Sequence, residues 1–218
     1  TYKHNKTKHR FISKEDILAN GYDLCHRAYL NGYSYPENTP RKKIKDLFNI
    51  VRGQSQASTA ISDGEFPFIT SSAEFKTSNT YQIDSEAIII PTVSSTGHGH
   101  ASLKNIHYMN GKFNLATICI ALIPKDKYTN VQFVYYYLLK FKEELLVALM
   151  RGAANVSLNL DKLDELEIPQ YDSSIMQKCL DEISQMESEI LKIKEELLLK
   201  ESQLSDLKSN FGGSLLGK

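Results

Sequence analysis

The sequence predicts an α+β chain: a globular mixed α/β domain followed by one long C-terminal coiled-coil helix. Two observations carry that reading. From Met176 onward apolar residues repeat with a heptad. The a positions are Met176, Ile183, Ile190, Leu197, Leu204 and Phe211, and the d positions are Cys179, Met186, Ile193, Lys200 and Leu207. Only Lys200 of these is polar, and a seam repeating at 3.5 residues must face another helix to be buried. Upstream, short apolar runs bounded by Gly, Pro, Asn and Asp alternate with a single long amphipathic segment, the pattern of a sheet with helices against it. The predicted division is an N-terminal extension over 1–36, a globular domain over 37–171, the coiled-coil helix over 172–211 and a flexible tail over 212–218.

Each element has a local reason. Ser13 with Asp16 caps a short helix that Asn20-Gly21 ends, and a loop rich in Asn, Gly, Tyr and Pro runs from Asn31 to Pro40. KIKDLFNIVRG is a short helix or strand, followed by a polar loop from Gly53 to Asp63-Gly64. EFPFIT and Tyr81–Asp84 read as strands. EAIIIPTV is an apolar strand running into the loop SSTGHGH, and ASLKNIHYM and KFNLATICIALIP continue a hairpin-like pattern broken at Asn110-Gly111. Thr129 with Gln132 caps a helix over VQFVYYYLLKFKEELLVALM that ends at Gly152. LDKLDELEIP gives one helical turn and a strand closed by Pro169. Ser174 with Gln177 forms a capping box for the heptad helix, and Gly212-Gly213 stop it, for a rod of roughly 55 Å.

Composition narrows the classes. No apolar run reaches the ~18 residues that span a membrane, and no signal peptide is visible. Three widely spaced cysteines, Cys25, Cys119 and Cys179, point to a reducing, cytoplasmic setting. The zero net charge is a cancellation: residues 1–60 hold 11 Lys+Arg against 5 Asp+Glu, and residues 161–218 hold 7 against 13. A basic front end suits an anionic partner, although an ordinary exposed segment looks the same.

No phosphate-binding loop, dinucleotide fingerprint or nucleophile elbow occurs in the chain, so no catalytic residue is assigned. His98 and His100 could hold a metal only with further ligands, which no spaced cluster supplies, so no metal is assigned. What the loops do carry is short hydrogen-bonding groups suited to base edges and phosphates. Arg52, Gln54, Ser55 and Gln56 stand in one; Ser71 and Ser72 in another. Ser94, Ser95, Thr96, His98, His100 and Lys104 lie in or beside a third; Arg151 and Asn155 lie in a fourth. Arginine matches guanine and glutamine matches adenine, because each offers two correctly spaced groups.

The order of elements resembles a known family. KIKDLFNIVRGQS, EFPFITSS, EAIIIPTVSSTGHGHASL, FNLATICIALIP with VQFVYYYLLKF, and above all GAANVSLNLDKLDELEIP before a heptad helix, resemble the target recognition domain and spacer helix of type I restriction-modification specificity subunits. The module also occurs in fused type IIG and IIB enzymes. Two departures stand out. QYDSSIMQ replaces the usual Pro-Pro-x-x-Glu-Gln, keeping only Gln177. Full-length subunits carry two recognition domains and two helices, and this chain has one of each. ISKEDILANGYDLCHRAYL resembles the end of adenine-specific DNA methyltransferase domains. The resemblance implies a non-catalytic, sequence-specific reader of double-stranded DNA. Its implied companions are an adenine methyltransferase subunit or domain, which would hold S-adenosylmethionine, and a restriction subunit. No cofactor is implied on this chain. The expected partner face is Met176, Cys179, Ile183, Met186, Ile190, Ile193, Leu197, Leu204 and Leu207, pairing with a second copy or with methyltransferase helices. Parallel self-pairing would set Glu196 near Glu201, so antiparallel or mixed pairing is the more comfortable. Two other readings stay open: a histidine-based enzyme, and a scaffold that recruits a protein without touching DNA.

Overall fold

The computed structural model describes residues 12–19, 35–96 and 99–215. The chain divides into two units, residues 1–170 and residues 171–218.

The first unit is built on two four-stranded sheets. Strands β2 (Phe48–Arg52), β6 (Ala87–Pro91), β7 (His107–Met109) and β9 (Cys119–Pro124) form one, in the order β2-β9-β6-β7, antiparallel throughout. Strands β3 (Phe66–Ile69), β4 (Lys76–Ser78), β5 (Ile83–Asp84) and β8 (Lys112–Leu115) form the other, in the order β4-β3-β8-β5, with β3 and β8 parallel.

The unbroken apolar run of EAIIIP follows from its place in the middle. Successive strand side chains point to opposite faces, and both faces of β6 are covered. Ile88 and Ile90, with Ile120 and Leu122 of β9, pack into a core shared with Val131, Val134, Leu138, Leu145 and Leu146. Ala87 and Ile89, with Cys119 and Ala121, pack against Ile69, Ile83, Phe113 and Leu115 of the second sheet. A strand with no solvated face has no alternation to show. Burial pushes the Cys119 thiol up to about 12, so this cysteine acts as a small apolar side chain.

The segment 131–150 departs from the single helix the sequence predicts. Helix α3 covers Val131–Lys140, helix α4 covers Lys142–Leu145, and a 3-10 turn covers Val147–Leu149. Leu145, Leu146, Val147 and Ala148 are four consecutive buried residues. On a straight helix, successive residues rotate by about 100°, so four in a row cannot all face one core. The segment is not straight: it breaks at Phe141 (φ −107°, ψ 29°), and after Leu145 the chain tightens into the 3-10 turn, so these four do not lie on one regular helix. The N-cap also differs. The Asn130 side chain accepts from the Phe133 amide at 2.9 Å, whereas the Thr129 hydroxyl donates to Asp126.

Three further pairings were not legible in the sequence. β1 (Arg41–Lys43) pairs with β12 (Glu167–Pro169), joining the start of the domain to its end. β10 (Met150–Arg151), at the end of the predicted helix, pairs with β11 (Ser157–Leu158). β4 lies in a polar stretch. All are two or three residues long or strongly polar, so none has room to show a period. The expected turn and strand of LDKLDELEIP are present as α5 (Leu160–Asp164) and β12. Near the N-terminus, α1 (Lys14–Ala19) follows Ser13 as expected, and the short helix α2 (Ile44–Leu47) joins β1 to β2. The end of α1 at Asn20-Gly21 and the linker to residue 34 lie outside the described residues.

The second unit is helix α6, Ser173–Leu215. It starts one residue before the predicted cap: the Asp172 carbonyl accepts from the amides of Ile175 and Met176. Gln177 does not close a capping box with Ser174. Its amide donates one turn forward to Asp181 at 2.8 Å. Gly212 and Gly213 do not stop the helix, and its 43 residues measure about 65 Å. The apolar seam is exposed from Met186 (57%) to Phe211 (70%). Cys179 is exposed on this helix too. Among the described residues no helix is long and apolar enough to cross a membrane.

Candidate nucleic-acid interface

Sheet register brings the polar loops to one end of the domain. β2 and β6 flank β9 and both run against it, so Arg52 lies opposite Ile120 and Pro91 opposite Cys119. The loops leaving β2 and β6 therefore emerge beside the turn Ala116–Ile118. β3 and β8 end together at Ile69 and Leu115, and the Ala116 amide donates to the Ile69 carbonyl at 3.0 Å. That sets Thr70–Ser72 at the same end. Val93 bridges to Ser157, and the Ser94 amide donates to the Val156 carbonyl at 2.9 Å, which brings in the loop after β10. All four loops singled out in the sequence thus converge.

The first loop is an extended comb. Arg52, Gln54 and Gln56 are exposed, while Gly53 and Ser55 turn inward. A Cβ on Gly53 would stand 2.0 Å from the Ala116 carbonyl oxygen, so only glycine lets the chain pass. The Ser55 hydroxyl donates to Asn114 Oδ1 at 3.0 Å. Among the described residues Arg52 has no ion pair. Alternate side chains of an extended strand stand about 6.7 Å apart, which is two base-pair steps of about 3.4 Å.

The second and third loops are braced on one another. Asn105 Nδ2 donates to the Ser71 carbonyl at 2.9 Å. The Ser94 hydroxyl donates to the His100 carbonyl at 2.5 Å, and Ser95 Oγ accepts from the Lys104 amide at 3.0 Å. These two hydroxyls shape the loop, leaving Thr96, His100 and Lys104 as its exposed polar side chains. Thr96 itself hydrogen-bonds back to the same hairpin. His98 lies outside the described residues. Gly99 (φ 75°) crosses so close to the Ala153 carbonyl oxygen that a Cβ would come within 2.3 Å. An open cleft of about 340 Å³ lies between Val93–Thr96 and Ala154–Ser157, with Asn155 exposed on its wall.

Two predicted contacts acquire internal partners. Arg151 is half-buried, and its Nη1 donates to the carbonyls of Ala148 (2.6 Å) and Met150 (2.9 Å). Part of the basic front end is paired internally: Arg41 meets Glu167 at 2.8 Å, and Lys43 and Lys45 both pair with Glu165. Those two lysines hold the Glu165 carboxyl down at about 2. The cluster sits beside the first residue of β2, at the end of that strand away from Arg52.

Beneath the second loop lies a residue the sequence reading missed. His107 is buried, its ring meets Phe75 edge-on at 5.0 Å, and its Nε2 has no hydrogen-bond partner among the described residues. Burial lowers its basicity, against a smaller opposing contribution from a Ser72 backbone hydrogen bond. Gln82, Asn105 and Asn114 were likewise missed. Only Asn114, a polar residue interrupting the apolar run KFNLA, left a mark in the sequence.

The profile of the type I restriction modification DNA specificity domain matches residues 36–201. No protein of curated function matches the chain in sequence. Among solved structures, the type I restriction-modification S subunit of M. genitalium is similar with a TM-score of 0.56 at 17% identity, over 72% of this chain and 41% of that one. A chain from work on complex assembly and conformational transition of the type I R-M system gives 0.51 at 17% identity, over 88% and 49%. The HsdS subunit of Thermoanaerobacter tengcongensis gives 0.50 at 16% identity, over 75% and 41%. The chain thus spans under half the length of each of these three solved chains. With three quarters of its residues inside the profile match, this chain belongs to the type I restriction modification DNA specificity domain family.

Proposed function

We propose that this chain reads a short DNA sequence for a restriction-modification system and directs adenine methylation, cleavage or both by its partners. The observation that carries the reading is the convergence of four polar loops at one end of the two sheets, with Arg52, Gln54 and Gln56 displayed on alternate positions of an extended segment. Arg52 suits a guanine, and Gln54 and Gln56 suit adenines. Ser71, Ser72, Thr96, His98, His100, Lys104 and Asn155 complete the reading edge. Ser55, Ser94, Ser95 and Arg151 hold its shape through the internal bonds described above.

Chemistry belongs to the companions in this reading. An adenine methyltransferase subunit or domain carries S-adenosylmethionine, and a restriction subunit cleaves. Helix α6 pairs through its exposed seam with a second copy or with a methyltransferase helix. In a two-fold dimer the helix acts as a spacer, and two heads read an inverted, split site. A rod of about 65 Å sets an upper bound near 19 base pairs between them.

The test is selection from a randomised duplex library, with and without the methyltransferase, at fixed salt. The expected result is one enriched motif, and Arg52→Ala should relax one base position by about 1–3 kcal/mol. Equal affinity for every duplex would refute it. Equal affinity combined with tight capture of a helical protein partner would favour the scaffold reading, which the exposed seam by itself also allows.

A further inference from the structure

We propose that Gln82, just before β5, and Asn114, on β8, are positioning residues that set the aim of Arg52, Gln54 and Gln56, and hence the base preference of that loop. The inference rests on the DNA-reading function proposed above and names what specifies its first loop.

The backbone geometry carries the argument. β2 is an edge strand of its sheet. The Gly53 amide points inward and donates to the Cys119 carbonyl at 3.0 Å. Backbone groups of neighbouring residues in a strand point to opposite sides, so the Arg52 carbonyl and the Gln54 amide face outward. Gln82 meets both. Its Nε2 donates to the Arg52 carbonyl at 2.7 Å, and its Oε1 accepts from the Gln54 amide at 3.0 Å. A side-chain amide carries one donor group and one acceptor with the spacing of a peptide. Gln82 thus works as a one-residue strand on an otherwise open edge. Its own backbone is fixed, because its amide donates to the Phe113 carbonyl at 3.0 Å.

Asn114 fixes the next step. It is buried, and all its polar capacity faces inward. Oδ1 accepts from the Ser55 hydroxyl and from the Leu115 amide, both at 3.0 Å, and Nδ2 donates to Ser78 Oγ at 3.1 Å. With Ser55 held inward, Gln54 and Gln56 must point out, because alternation leaves them no other face. Neither residue lies on the exposed comb, so neither reads a base. They decide where the side chains that do so begin.

The experiment uses the full chain, with its methyltransferase partner if binding requires it, and the same randomised duplex library. Arg52→Ala first marks the base position that this loop reads. Gln82→Ala is expected to flatten preference at that position and its neighbours by roughly tenfold, leaving preference elsewhere and the salt dependence of binding unchanged. Gln82→Glu, which keeps the acceptor for Gln54 but loses the donor to Arg52, should fall between. Asn114→Ala should flatten the same positions; should it fail to fold, the half-exposed Gln82 decides alone. Asn130→Ala, a remote cap variant of lowered stability, should keep the wild-type profile. A Gln82→Ala profile identical to wild type overturns the inference while leaving DNA reading intact. A change in the Gln82→Ala profile equally matched by Asn130→Ala also overturns it, since loss of stability would then account for it. A wild-type chain with no base preference sinks the reading beneath it.

Discussion

Gly53 bears a constraint that no other residue type can meet. Its missing side chain lets the loop after β2 pass the Ala116 carbonyl at a distance where a methyl group would overlap it. Gly53→Ala should therefore cost about 1–3 kcal/mol through forced backbone shifts, lowering the melting temperature by several degrees. An unchanged thermal melt would show that the loop can move aside. His107 makes a second prediction at this scale. Its imidazole is held below its ordinary value of 6.5, chiefly by burial. Below that pH the unfolded chain binds the proton more readily than the folded one. Stability is thus whole above pH 6.5 and falls as pH drops towards the folded value. Melting temperature followed from about pH 7.5 down to 5 should decline, and the decline should be shallower in His107→Phe. Glu165 acts in a lower window. Lysines 43 and 45 pull it to about 2, so its contribution is present above its ordinary 4.5 and vanishes as pH falls through about 2. Because its side chain is exposed to solvent, that contribution is small.

The long tyrosine-bearing segment shows how an element's ends are decided by different forces. Its start is local. Asn130 caps α3 by accepting from Phe133, so Asn130→Ala should cost about 1 kcal/mol, within a usual span of ~0.5–2. A melt would register this as a loss of a few degrees. Thr129→Ala tests the cap the sequence suggested. It removes a bond to Asp126, in a turn where Asp126 also accepts from the amides of Tyr128 and Thr129. It should cost less than the Asn130 change, and the reverse order would return the cap to Thr129. The far end is tertiary: α4 stops at Leu145 and the chain tightens into a 3-10 turn, which lets Leu145, Leu146 and Val147 all enter one core. Periodicity over the whole segment could not announce that, because a turn of helix followed by a 3-10 turn averages to something still helical in composition.

At the scale of the molecule the unresolved demand is the apolar seam of α6. Ile190 and Ile193 are 46% and 63% exposed, so a charge at either should leave the melting of the sheet domain nearly unchanged. If the seam binds a partner helix, Ile190→Asp should shift the purified chain, or its complex with the methyltransferase, to the smaller species in analytical ultracentrifugation. An unaltered sedimentation profile would show that assembly does not use this face.

The heptad, the central apolar strands and the polar loops were all legible because each is a repeat or a local contrast: 3.5-residue spacing, EAIIIP, glutamines and serines beside glycine. The fold class and the family follow from such patterns in their order along the chain. Helix ends were less legible, since Gly212-Gly213 mark a stop that the helix passes through. Only the tertiary structure decided that four loops far apart in sequence share one end of two sheets, because that depends on which strands pair and in which direction. It also sorted the loop residues by exposure. Arg52 and Ser55 look alike as polar loop groups, yet one faces solvent and the other faces Asn114, and the partners that set this, Gln82 and Asn114, stand about 30 and 59 residues away. Hydrogen bonds over such separations leave no period in a sequence; they arise only when packing brings the strands together.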